Sequence, residues 1–310
     1  MKLELKDAYP LLKERLESNS LNIFVGSGIS LDSGIPSWDD LVIRFLDMAK
    51  SIRFVNDVDK NEIEEIVKDA YARKSAHRFN PIEIATVLKN RLKRSNELTK
   101  MPFSQASKDY KNWVGSTFDK APNLKHQLIV ATDYAFILTS NYDTLLQTAA
   151  FDLGYKEFSG KIFSYKNQSE ILHAINVKDS CMVHVHGVAN SLELDDLIFT
   201  KEDYNKIILK KYEGFSFALR MLFTRYSTLF VGYGASDPHL DEILEELAEY
   251  FPLVDDSFVL PTSYLVTRRD KADVIMEKYK ERVGMHLILI DDFAQYIDLL
   301  EFLKGIKPRT

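Results

Sequence analysis

Cysteine is nearly missing from this chain of 310 residues: Cys181 stands alone, so neither an intrachain disulfide nor a four-cysteine zinc site can form. No uninterrupted apolar run reaches the roughly 18 residues of a membrane span. The amino terminus, MKLELKDAYPLLKERLESNS, is charged and amphipathic, unlike a signal peptide. These absences predict a soluble, cytoplasmic protein without a membrane partner. A basic excess is also lacking. Forty Lys and Arg face 46 Asp and Glu, a net charge of −6, which argues against direct nucleic-acid binding. A small anion remains compatible, because helix-start amides hold phosphate without net positive charge. There is no GxxxxGK[ST] loop, nuclease-like carboxylate cluster, internal repeat or Gly/Ser linker.

What is present is ordinary globular material, 45% hydrophobic and 28% charged, enough to build a core. Short apolar runs read as strands: LNIFV (21–25), AFILT (135–139), CMVHV (181–185), TLFVG (228–232), SYLVT (263–267) and HLILI (286–290). Their continuous apolarity is what strands covered on both faces require. Amphipathic helical stretches lie between them, for example 237–251, opened by Asp237 and Pro238, and 291–306. The alternation predicts a Rossmann-like α/β fold, doubly wound on a mainly parallel sheet. From about 38 to 133 the rhythm breaks into helical stretches such as 60–74 and 81–94, with a third, weaker one and no convincing strand. We read residues 1–310 as a single domain carrying a helical insertion at about 38–133. The basic run RLKRSNELTK (91–100) reads as a solvated helix end.

The chemistry-bearing residues collect at strand ends. After the first run comes VGSGISLDSGIPSW, where Gly26 and Gly28 permit a tight turn and amide approach to a diphosphate. Ser27, Ser30 and Ser33 add hydroxyls, and Leu31 stands where the usual dinucleotide fingerprint has a third small residue. Taken alone, this is as readily a bare strand–helix turn. TSNYDTLL places Asn141 and Asp143 beyond the second strand, where either could equally cap the helix that follows. VHVHGVAN brings His186 to the end of the third, with His184 one step back in the sheet as a core histidine. This His-x-His pair has no third or fourth ligand nearby, since His77, His126, His173 and His239 fall in unrelated helical contexts, so no metal is expected. LFVGYGASDPHL adds a second glycine turn, Gly232 and Gly234. Four strands ending in small or polar residues on one sheet edge predict a dinucleotide-sized cleft.

In this order, GSGISLDSGIP, TSNYD, HG and VGYGASDP resemble the signature segments of the sirtuin family. The resemblance spans positions 25 to 240. It implies that NAD is bound, with Gly26, Gly28 and Ser30 at the phosphates, Asn141 and Asp143 beside the nicotinamide ribose, and His186 as general base. Two departures matter. The CxxC…CxxC zinc module of the deacetylases is absent, and SGIPSWDDL keeps an aromatic, Trp38, without the arginine that usually follows. The chain looks closer to zinc-free sirtuin-like domains of bacterial anti-phage systems. That implies cleavage of NAD at the nicotinamide–ribose bond, in an abortive-infection effector working as a homo-oligomer or with a partner such as an ATPase. Cleavage needs a held ribose, an oriented water and a base. Asn141 would orient the water, Asp143 would favour developing positive charge, and His186 suits the base because a histidine side chain has an unperturbed pKa near neutrality. Protein deacylation or ADP-ribosyl transfer, and NAD or ADP-ribose sensing without cleavage, are the rival readings.

Overall fold

The structure is a computed structural model that describes residues 1–51, 57–75, 80–87, 90, 116–189, 197–208, 212–235, 237–251, 261–279 and 285–309. Eight strands form one sheet in the order β1-β8-β7-β6-β2-β3-β5-β4. They are β1 (Lys2–Glu4), β2 (Leu21–Val25), β3 (Ile137–Thr139), β4 (Ile162–Ser164), β5 (Met182–His184), β6 (Ser227–Val231), β7 (Ser263–Arg268) and β8 (Met285–Ile290). Every pairing is parallel, so the mainly parallel sheet of expectation is wholly parallel.

Strand alternation divides the core into two layers. Leu21, Ile23 and Val25 of β2, with Leu229 and Val231 of β6, face one layer, in which Leu12, Leu146, Leu299 and Leu303 are buried. Phe24 and Phe230 face the other, packed with Ile171, Phe215, Leu222 and Ile243. Helices Leu5–Glu17, Leu124–Val130, Leu145–Asp152 and Gln295–Ile306 cover the first face; Gln168–Val177, Glu213–Arg225 and Pro238–Tyr250 cover the second. A sheet buried on both faces explains why its central strands read as unbroken apolar runs.

Two strands escape that pattern, and both are short edges. In β1 only Leu3 is buried between two charged, exposed neighbours, and β4 is half-buried throughout. Neither offers the apolar run that marks a central strand. The described residues of 38–133 hold helices Trp38–Ser51, Asp57–Ser75 and Leu124–Val130, a further helical segment over 81–87, and no strand. A third apolar cluster joins Leu41, Val42, Phe45, Val67 and Ala70 of this region to Tyr142, Leu145 and Phe199 beside the sheet edge. His77 and the basic run 91–100 lie outside the described residues.

The chain order sets the position of the cleft. From β2 it moves to β3, β4 and β5 on one side, then crosses to β6 on the other. Connections leave β2 and β6 in opposite directions, and the crevice beyond their carboxyl ends is where open α/β sheets bind ligands. The four strands bearing the motifs, β6, β2, β3 and β5, are contiguous in the sheet.

Candidate active site

Two glycine turns meet at this crevice. Gly26 donates its amide hydrogen to the Val231 carbonyl (2.9 Å) and Gly28 donates to Gly232 (3.0 Å). The Gly232 amide in turn donates to the Tyr296 hydroxyl (3.1 Å). A Cβ on Gly26 would lie 2.5 Å from the Gly232 oxygen, and one on Gly28 2.9 Å from the Gly232 Cα. Gly232 itself has φ +63, a left-handed conformation that glycine adopts at least cost. These glycines therefore let one backbone turn lie against the other. Their amides are committed inside the protein, so what these glycines supply is the close approach of the two turns. The Ser27 amide, at the start of the 3-10 turn Ser27–Ile29, is a first-turn N–H group without a helical acceptor.

Behind the turns, Asn141 is fixed from several directions. Its amide nitrogen Nδ2 donates to Ser30 Oγ (3.1 Å) and to the Gly26 carbonyl (3.3 Å). Its backbone N–H donates to Thr139 Oγ1 (3.0 Å), which passes its own proton to the Val25 carbonyl (2.9 Å). His184 Nδ1 lies 3.0 Å from the Asn141 carbonyl, an acceptor, so this nitrogen carries the proton. With Nδ2 engaged, Asn141 leaves Oδ1 buried and without a partner, and it lines the cleft.

Ser30 is the hub of this arrangement. Its Oγ also meets His126 Nε2 at 3.1 Å. The other His126 nitrogen, Nδ1, accepts the Asn123 backbone N–H (3.1 Å), so the proton of the neutral ring sits on Nε2 and points at Ser30. Burial holds His126 down at about 4 and His184 likewise at about 4, keeping both rings neutral. Ser30 Oγ thus receives two donors. Burial raises the Asp143 pKa, while the Leu145 amide, Ser30 and Asn141 oppose the rise. Asp143 Oδ1 accepts from Leu145 N–H (3.1 Å), and Oδ2 is buried without a hydrogen-bond partner.

His186 approaches from beyond β5. Its Nε2 lies 2.9 Å from Asp237 Oδ2, a close contact whose angle is bent away from a straight hydrogen bond. Asp237 is the N-cap of Pro238–Tyr250, its Oδ1 accepting from the amides of His239 (3.1 Å) and Leu240 (3.3 Å). Burial opposes ionisation of Asp237, yet the charge and hydrogen bond of His186 prevail and hold its pKa below the usual carboxylate value.

The cleft in front of these groups encloses about 670 Å³, including its mouth. Trp38, Phe118, Tyr142, Tyr204 and Tyr233 wall it with Ile35, Pro36 and Leu41, and Asn141, Asp143, His186 and Asp237 supply its polar side. Among the described residues that line it there is no Lys or Arg. The Tyr204 ring stands edge-on to His186 at 5.3 Å, and Trp38 packs edge-on to Phe199 at 4.9 Å. Among the described residues no group of three or more His, Cys, Asp and Glu could hold a metal ion, and no helix is long and apolar enough to cross a membrane.

Of the residues singled out in the sequence, Gly26, Ser27, Trp38, Asn141, Asp143, His186 and Gly234 line this one cleft. Gly28, Ser30 and Gly232 stand behind its surface, with Ser30 fully buried. His126 escaped the sequence reading because nothing local marks a histidine 96 positions from its partner Ser30. Asp237 was legible only as a helix cap. Its second oxygen, the one facing His186, has no sequence signature.

A wholly parallel, doubly wound sheet with a buried polar constellation at its switch point defines a Rossmann-like ligand-binding α/β protein. More narrowly, a family model described as a SIR2-like domain matches residues 135–288. Defense-associated sirtuin 2 of Bacillus subtilis is 25% identical over 297 residues, 94% of this chain and 25% of that protein. An NAD(+) hydrolase ThsA of Acinetobacter baumannii is 28% identical over 242 residues, 78% of this chain and 42% of that protein. The ThsA of Enterococcus faecium is 20% identical over 310 residues, 94% of this chain and 56% of its own length. The chain thus spans from a quarter to just over half of these relatives.

Proposed function

We propose that this chain hydrolyses NAD at the nicotinamide–ribose bond, as an effector of anti-phage defence. One observation carries the reading: Asn141 Oδ1 and Asp143 Oδ2, both buried and unpartnered, lie beside His186 in an aromatic-walled cleft at the switch point. Buried polar atoms ordinarily find a partner, so two orphans facing a cleft await a ligand. The names of the similar proteins, NAD(+) hydrolase and defense-associated sirtuin, support the same reading.

The residues divide the work as follows. Asn141, with Nδ2 tied to Ser30 and Gly26, presents an acceptor oxygen that orients a water or the nicotinamide carboxamide. Asp143 sets negative charge beside the ribose, where positive charge grows as the bond breaks. The C1′–N bond gives its electron pair to the pyridinium nitrogen, which leaves as neutral nicotinamide. The water oxygen bonds to C1′, and its proton passes to the His186 nitrogen not turned to Asp237. Aromatic walls exclude competing water and take a flat cationic ring face-on. The dinucleotide phosphates rest on the Ser27 amide and hydroxyl rather than on cations. On this reading residues 1–310 act as one cytoplasmic unit with the insertion beside the cleft, and oligomerisation or a partner protein controls it.

Asn141→Ala and His186→Ala should each lower nicotinamide release from NAD by at least about 100-fold, with folding intact by circular dichroism. Turnover near wild type in both would end the assignment. ADP-ribose appearing without any acylated peptide separates hydrolysis from deacylation. Binding by calorimetry with NAD unchanged over hours would favour a sensor.

A further inference from the structure

Asp237 has two oxygens and two jobs. Oδ1 caps the helix Pro238–Tyr250 through the His239 and Leu240 amides, while Oδ2 lies 2.9 Å from His186 Nε2. Both side chains are almost wholly buried, so the pair is little screened by solvent. The carboxylate is anchored by its cap, which fixes where Oδ2 stands. It is delivered by an unusual turn: Gly232 (φ +63) and Ala235 (φ 55) both adopt left-handed backbone just before it. For alanine that conformation is unfavourable and persists only where surrounding contacts enforce it. Tyr204, edge-on to the His186 ring at 5.3 Å, closes another side and limits rotation of the imidazole.

An ionised carboxylate can only accept, so the ring nitrogen facing it must be the one bearing hydrogen. Nδ1 of a neutral His186 then keeps its lone pair. We propose that Asp237 is a positioning residue that fixes His186 as the Nε2–H tautomer and so makes Nδ1 the proton acceptor of the site. This rests on the reading of His186 as the base for NAD hydrolysis. No proton passes to Asp237: the water proton ends on Nδ1, and the transient imidazolium is steadied by the neighbouring carboxylate.

The discriminating variant is Asp237→Asn. Asparagine caps a helix about as well as aspartate, so the amides of His239 and Leu240 keep an acceptor and the fold should hold. Its amide would instead donate to Nε2, forcing the proton onto Nδ1 and leaving no base toward the cleft. Such a tautomer reversal costs on the order of 10⁴-fold in the comparable carboxylate–histidine pair of serine proteases. For Asp237→Asn we expect kcat to fall at least 100-fold with KM within about threefold of wild type and an unchanged melting temperature. Independently of activity, two-bond ¹H–¹⁵N correlation spectra of the full chain should show His186 protonated on Nε2 in the wild type and on Nδ1 in Asp237→Asn. The His186 signals are identified by their loss in His186→Ala.

A wild-type ring protonated on Nδ1, or an Asp237→Asn variant with undiminished kcat beside an inactive His186→Ala, would overturn the proposal. If the wild type releases no nicotinamide, the hydrolysis reading fails instead, and the tautomer spectra still decide the role of Asp237 in setting the proton.

Discussion

Asp143 is held where its charge is costly. Desolvation raises its pKa, and the Leu145 amide, Ser30 and Asn141 only partly offset that, leaving Oδ2 buried and unpartnered. A group in this position destabilises the ligand-free fold and becomes useful when positive charge arrives beside it. Asp143→Asn should therefore leave the melting temperature unchanged or raise it by about 2–4 °C for each kcal/mol relieved. The same variant should lose at least 100-fold in nicotinamide release. Calorimetry showing a clear drop in melting temperature would mean that Asp143 serves the fold first. The residue types were legible in the sequence because TSNYD and HG sit where strands end. Their division of labour was not, because it depends on which atom of Asn141, Ser30 or Asp237 already has a partner, and that is a matter of contact rather than spacing.

The element that most constrains the site is the pair of glycine turns after β2 and β6. Their contact is backbone on backbone, so an added methyl group has no flexible neighbour to displace. Gly28→Ala, whose Cβ would stand 2.9 Å from the Gly232 Cα, should destabilise the protein by about 1–3 kcal/mol, read by urea denaturation. It should also impair turnover through Ser30 and Asn141, although Gly28 is no cleft-lining residue. Stability and rate both at wild-type level would show that the turns can separate freely. GxG was visible in the sequence, but not that the Gly26 and Gly28 amides bond to the partner turn. The same glycine pattern serves any close approach, and only the partner turn 200 residues later tells which. The central strands were legible for the opposite reason: a strand buried on both faces announces itself by composition alone. The edge strands β1 and β4, with few buried side chains, do not.

On the scale of the whole molecule, three neutral histidines lie deep in the core or behind the cleft. His126, His184 and His239 are each held at about 4, chiefly by burial. Unfolded, such a side chain titrates near 6.5, so between about 6.5 and 4 the unfolded chain binds more protons than the folded one. Stability from these groups is complete above about 6.5 and is lost as the pH falls toward 4, on the order of 3 kcal/mol per histidine at full titration. Asp143 and Asp39, with their raised pKa values, act in the opposite direction, while His286, lowered by burial, adds to the histidine effect. Melting temperature should fall steeply between pH 7 and pH 5; a flat profile would contradict the burial of these rings. The cleft also has a charge pattern with its own consequence. Among the described residues it is lined by two carboxylates and aromatic rings, with no lysine or arginine. For a pyridinium substrate, the reaction removes the positive charge that such a lining attracts. If the chain hydrolyses NAD as proposed, neutral nicotinamide leaves a pocket that has lost its hold on it, and the remaining product is an anion facing Asp143 and Asp237. On that reading release is built into the chemistry.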